Sequence, residues 1–139
     1  MQLASINSLF PAGLHIECGL GLSHSIGYAL GSPYGILHGI TLYISLACVV
    51  KLKAQSVAEA AQIARVLPYV GQSRSRHDKA DAHTVGDAID QLVKALSLES
   101  TLQQYGFGKD QEAKTTKILT QTEEGELYDG VCAIVKSRH

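Results

Sequence analysis

The sequence predicts an all-α domain of about six or seven helices, and three observations carry that prediction. Apolar positions recur mostly at helical spacing. The stretches between them are short, polar or rich in Gly and Pro, and none is long enough to divide the chain. The length, 139 residues, suits one buried core and is short for two domains of ordinary size, so residues 1–139 are read as a single domain.

In chain order, Leu3, Ile6 and Phe10 mark a first helix that Pro11 and Gly13 end. A second candidate runs from about Leu22 to Leu30, with Ile26 on the same face, and the stretch Gly31-Ser32-Pro33-Tyr34-Gly35 is expected to break it. Residues 39–52 are ambiguous. Ile40, Leu42, Ile44 and Leu46 alternate with Thr41, Tyr43 and Ser45 as a half-buried strand would. Ser56 with Glu59 has the pattern of a capping box ahead of a helix carrying Val57, Ala60, Ala61, Ala64 and Leu67, stopped at Pro68. Residues 71–82 read as a polar loop, after which Thr84 with Asp87 opens an amphipathic helix whose stripe is Val85, Ala88, Ile89, Leu92, Val93 and Leu96. Beyond the turn at Gly106-Phe107-Gly108, a weaker helix is expected near 110–120. A last one pairs Leu127, Val131, Ile134 and Val135.

Composition excludes several functions. A hydrophobic share of 45% against 18% charged residues describes a foldable globular chain. The formal net charge of −1 offers no basic footprint for a nucleic acid, and no polybasic membrane signal is present. Nor does the start of the chain carry the positive residues of a secretory signal. The longest apolar run, residues 39–50, is shorter than the roughly 18 residues a membrane span needs. Cys18, Cys48 and Cys132 are odd in number and set among apolar residues, which fits reduced thiols better than a disulfide framework. A cytoplasmic or mitochondrial setting follows. All twelve Lys and Arg residues lie after position 50, and the first fifty residues hold one acid, Glu17.

The residues that could carry chemistry lie in that nearly uncharged third. His24 and His38 stand fourteen residues apart, near the ends of two apolar segments with a Gly/Pro turn between them. Such a turn lets the second segment fold back so that both imidazoles face one point, and neutral imidazole is a good ligand for Zn²⁺ or Fe²⁺. On spacing alone, two structural histidines at helix ends are the better reading. His15 reads as a core or helix-end residue. His77 and His83 flank Asp78 and Asp81 in a charged loop that is expected to be solvated. Arg74, Arg76 and Lys79 are too few to argue for phosphate recognition, and neither Cys18 nor Cys48 has a basic partner at a motif spacing.

The passage from Gln2-Leu-Ala-Ser-Ile through Leu14-His-Ile-Glu-Cys-Gly-Leu-Gly-Leu-Ser-His24 to His38-Gly-Ile-Thr resembles the metal-site region of the iron-containing alcohol dehydrogenase family, which has the dehydroquinate synthase-like fold. It is most similar to the maleylacetate reductase-like members. Leu98-Glu-Ser-Thr-Leu-Gln-Gln-Tyr-Gly-Phe and residues 128–138 resemble the family's late helical segments, so the likeness covers nearly the whole chain. It implies an all-α C-terminal domain, makes residues 39–52 a helix, and places metal ligands at His24 and His38. The sequence departs from the family pattern at two positions. Tyr28 stands where a second histidine is usual, and Leu37 where a proline commonly precedes the last histidine. A phenol is a poorer match than an imidazole for proton transfer at neutral pH; no catalytic residue is assigned.

The resemblance further implies a divalent metal (Fe²⁺ or Zn²⁺), NAD(P), and a small-molecule alcohol, aldehyde or keto acid as substrate. It also implies that the other two metal ligands and the nicotinamide-binding domain belong to a segment before Met1. The chain contains no Gly-Gly-Gly-Ser phosphate loop and no βαβ alternation, so a truncated enzyme without nicotinamide-dependent activity is expected. The alternative is a non-catalytic helical remnant or interaction module packing against a complete subunit. An N-terminal third with a single charged side chain would also expose an apolar face and favour a homo-oligomer.

Overall fold

A computed structural model describes residues 21–108, 111–120 and 124–137. The expected first helix, with Leu3, Ile6 and Phe10, lies outside the described residues, as do His15 and Cys18. The rest is all-α: α1 (Leu22–Tyr34), α2 (His38–Lys53), α3 (Val57–Ala64), α4 (Asp78–Ala95), α5 (Glu112–Thr120) and α6 (Glu126–Ser137), with single 3₁₀ turns at Leu67–Val70 and Leu102–Tyr105. No strand occurs among the described residues. None of their helices is long and apolar enough to cross a membrane.

The centre of the domain is α2, which packs on α1, α4, α6 and, at its end, α3. It is helical despite its alternating sequence because the polar members of the alternation satisfy themselves along the helix. Ser45 Oγ donates to the Thr41 carbonyl at 2.8 Å, and Thr41 Oγ1 to the His38 carbonyl at 2.8 Å. Both residues can then be buried beside Ile44, Ala47 and Val49, as a helix surrounded by neighbours requires. The second face of the domain is closed by α5 and α6, which pack on each other while α5 also meets α1 and α6 meets α2.

The main core joins Ile26 and Leu30 of α1, Ile36 of the following turn, Ile44 and Val49 of α2, Leu102, Phe107, and Val131, Ile134 and Val135 of α6. A smaller seam of Ala54, Ala60 and Ala82 with Ile63 fastens α3 and α4. Cys48 and Cys132 are half-buried thiols.

Several boundaries differ from the sequence reading. The segment from Gly31 to Gly35 does not break the helix at Leu30: α1 runs through Pro33 to Tyr34. A proline this close to the end deletes one main-chain bond without a long helix to disrupt. The actual stop is Gly35, in the left-handed region at φ 65°, where the Ile36 N–H donates back to the Gly31 carbonyl at 3.1 Å. The capping box is not formed. The Ser56 side chain makes no cap bond, and Glu59 pairs instead with Lys53. Pro68 does not simply end α3, which stops at Ala64; it begins the next 3₁₀ turn. Finally, α4 starts at Asp78 rather than Thr84, with Asp78 and Asp81 in its first turn, where negative charge suits the helix dipole. The stripe on α4 is only partly interior: Val85 is buried, whereas Leu92 and Leu96 are each 58% exposed.

Candidate functional site

His24 stands in the first turn of α1, Tyr28 one turn further along the same helix, and His38 is the first residue of α2. Gly35 turns the chain within three residues, so the start of α2 returns beside α1. The ring centroids of His24 and His38 are 5.3 Å apart, with planes tilted by 58°. Tyr28 joins them, its ring stacked on His38 at 5.0 Å and 29°. The structure therefore brings together the two imidazoles and the phenol that the sequence singled out.

The hairpin that carries the rings is held by close backbone approach. A Cβ built on Gly27 would lie 2.9 Å from His38 Cε1, 3.1 Å from His38 Nδ1 and 3.1 Å from Thr41 Oγ1. Thr41 Oγ1 also approaches the Gly27 carbonyl at 3.4 Å, so one hydroxyl links the two helices at the level of the rings. The Ser23 hydroxyl is shielded from solvent and has no partner among the described residues. Beside His38, a groove of about 420 Å³ is lined by Gly27, Tyr28, Gly31 and Gly35, with Ile36 and Leu37 as its apolar members. Tyr28 is 61% exposed and Leu37 72% exposed, so this end of the hairpin faces outward.

Electrostatically the hairpin is bare. No Asp, Glu, Lys or Arg occurs between residues 18 and 50. Among the described residues no group of three or more His, Cys, Asp or Glu side chains converges. Among the described residues the histidine pair thus offers two imidazole donors and no converging carboxylate.

His77 and His83 do not join the pair. They sit at the start of α4, where His77 is the N-cap and its N–H donates to Ser75 Oγ at 3.3 Å. The same region holds a feature that the sequence reading passed over as loop. Asp81, 2% exposed, accepts bonds from Ser75 Oγ at 2.6 Å, Ser75 N–H at 3.0 Å and Arg74 Nε at 3.3 Å. The Ser75 hydroxyl bond, followed by the Ser75 N–H, holds this carboxyl below the usual range against the opposing effect of burial, with Arg74 adding to the depression. Two acids in one first turn were the available signal. Gly27 was likewise missed, since nothing in its own neighbourhood of sequence reveals a ring from another helix.

Among curated proteins none matches the chain. The family model described as Fe-containing alcohol dehydrogenase family, C-terminal, matches residues 7–125, which includes both histidines and the whole of helices α1 to α5. With that match spanning most of its length and an all-α fold to go with it, the chain belongs to the iron-containing alcohol dehydrogenase family and carries that family's C-terminal domain.

Proposed function

We propose that the chain is the metal-bearing helical part of an NAD(P)-linked, metal-dependent oxidoreductase acting on a small alcohol, aldehyde or keto acid. The observation that carries the proposal is the 5.3 Å approach of the His24 and His38 rings across the α1–α2 turn. Two imidazoles suit Fe²⁺ or Zn²⁺ as donors, and a divalent cation bound there would polarise a substrate oxygen. The fit is that of a half-site. A catalytic zinc ordinarily takes three protein ligands, and the described residues supply two. What these residues do is therefore limited and concrete: α1 and α2 hold the imidazoles at a fixed spacing, and the adjacent groove leaves room for a small molecule beside them.

The described residues do not fit a nicotinamide cofactor, because they form no strand from which a phosphate-binding turn could lead into a helix. The alternative reading, a module that packs against a complete subunit, is supported by the exposure of Tyr28 and Leu37 on the same face as the histidines.

The test is a Zn²⁺ titration of the full chain with isotope-labelled histidines, followed by NMR. His24 and His38 should respond together and ahead of His77 and His83. His24→Ala should abolish the response of His38 and weaken binding by at least about tenfold. A response led by His77 or His83, or one at His38 that survives His24→Ala unchanged, overturns the proposal.

A further inference from the structure

We propose that Gly27 and Tyr28 are positioning residues for the His38 imidazole, holding its plane beside His24 before any ion arrives. The inference rests on the reading of His24 and His38 as a metal half-site, and it adds to that reading the two residues that preorganise it. His38 is the first residue of its helix and is exposed, which leaves an imidazole free to exchange rotamers unless something restrains it. Two restraints converge on it.

The first is the missing side chain of Gly27. This glycine lies inside α1, is buried, and has no positive φ to require it. A helix-interior glycine costs stability relative to alanine, so its backbone conformation does not account for its presence. The space a Cβ would fill is instead taken by the Nδ1–Cε1 edge of His38, at 3.1 and 2.9 Å, and by the Thr41 hydroxyl at 3.1 Å. Alanine there would displace the ring or part the helices. The second restraint is Tyr28, whose ring covers one face of His38 at 5.0 Å and 29°. Offset stacking of this kind favours one ring orientation over its rotamers. The edge seated on Gly27, the face under Tyr28 and His24 alongside at 58° all restrain the same thing, the plane of the imidazole. Residues that orient a ligating histidine in this way characteristically change metal affinity without touching the metal.

The test begins with the metal-free chain. In the NMR spectrum, the His38 ring protons should show nuclear Overhauser contacts to His24 and to the Gly27 α-protons. Tyr28→Phe, which keeps the ring, should preserve them. Tyr28→Ala should lose them, and because Tyr28 is mostly exposed this variant should remain folded, with His77 and His83 unmoved as the internal control. Gly27→Ala should lose the His38 to His24 contact as well. Zinc affinity should follow, falling about 10-fold to 100-fold in Tyr28→Ala while Tyr28→Phe stays close to the parent chain. Unchanged contacts in Tyr28→Ala, or a ring already rotamer-averaged in the parent chain, overturns the positioning role. Contacts that behave as expected in a chain that never responds to zinc support the positioning role and overturn the metal reading instead.

Discussion

The α1–α2 hairpin and the α3–α4 pair are both consecutive helices packed on each other, yet they are held together by different chemistry. Large aliphatic side chains fasten the first: Ile26, Leu30 and Ile36 meet Ile44 and Val49 in the main core, with no charged residue between positions 18 and 50. The second is joined through the methyl groups of Ala54, Ala60 and Ala82, and beside it a charged knot ties Arg74 of the preceding loop to Asp78 and Asp81 in the first turn of α4. The difference shows in the surroundings of the histidines: among the described residues no carboxylate converges with His24 and His38, whereas His77 and His83 flank Asp78 and Asp81. It also means that the two regions should fail under different insults.

The largest effect is expected from the apolar region. Phe107 is 1% exposed and meets Tyr34, at the end of α1, edge-on at 4.9 Å. Phe107→Ala should cost about 3–5 kcal/mol in urea unfolding, the range for emptying a buried aromatic site. It should also loosen the His24 to His38 approach. A loss below about 1 kcal/mol would show that the hairpin does not depend on this core.

Acid should find the charged region instead. Asp81 has a folded pKa below its ordinary value, so its contribution is fully present above the unfolded value of about 3.9 and is lost as pH falls through the folded one. Thermal melts of the parent chain should therefore lose stability on acidification below about pH 4. Asp81→Asn should be less stable at neutral pH and should show a smaller decline in acid. His24 and His38 resonances at neutral pH should not move in this variant. An identical acid decline in both proteins would mean that other carboxylates carry it.

The smallest effect separates the sequence pattern from the fold. Leu96 belongs to the expected apolar stripe of α4 but is 58% exposed. Leu96→Ser should change stability by less than about 0.5 kcal/mol, as surface substitutions do. A loss of several times that amount would restore Leu96 to an interior surface.

What could be read from the sequence was whatever depends on local pattern. The helical class was legible from spacing, and Ile26, Leu30, Val131, Ile134 and Val135 fall in the core where their periodicity put them. The approach of the two histidines was legible from the Gly/Pro turn between them, whereas their reading as ligands came from the family resemblance and not from their spacing. What the sequence hid was which partner each group takes, whether a few residues away or across the fold. Ser56 and Glu59 have the spacing of a cap, but Lys53, returning from α2, takes the glutamate. Thr41 and Ser45 mimic a strand until their hydroxyls are seen to bond carbonyls of their own helix. Thr84 imitates a helix start, yet its hydroxyl donates to the Ala80 carbonyl at 3.0 Å within a helix already under way. Gly27 carries no mark of the ring that rests on it.

The central helix is also locked in phase at both ends. His38 at its start is seated on Gly27 of α1, while Lys51 near its other end reaches Asp87 at 2.7 Å and Asp90 at 3.1 Å on α4. Thirteen residues of helix separate these two attachments, about 20 Å of rise. Each residue added or removed between them would rotate one attachment about 100° relative to the other. The His38 ring and the Lys51 ammonium therefore cannot both keep their partners unless the length of α2 changes by nearly whole turns. Insertion or deletion within this helix is therefore expected to disturb both attachments together, where a substitution would disturb at most one.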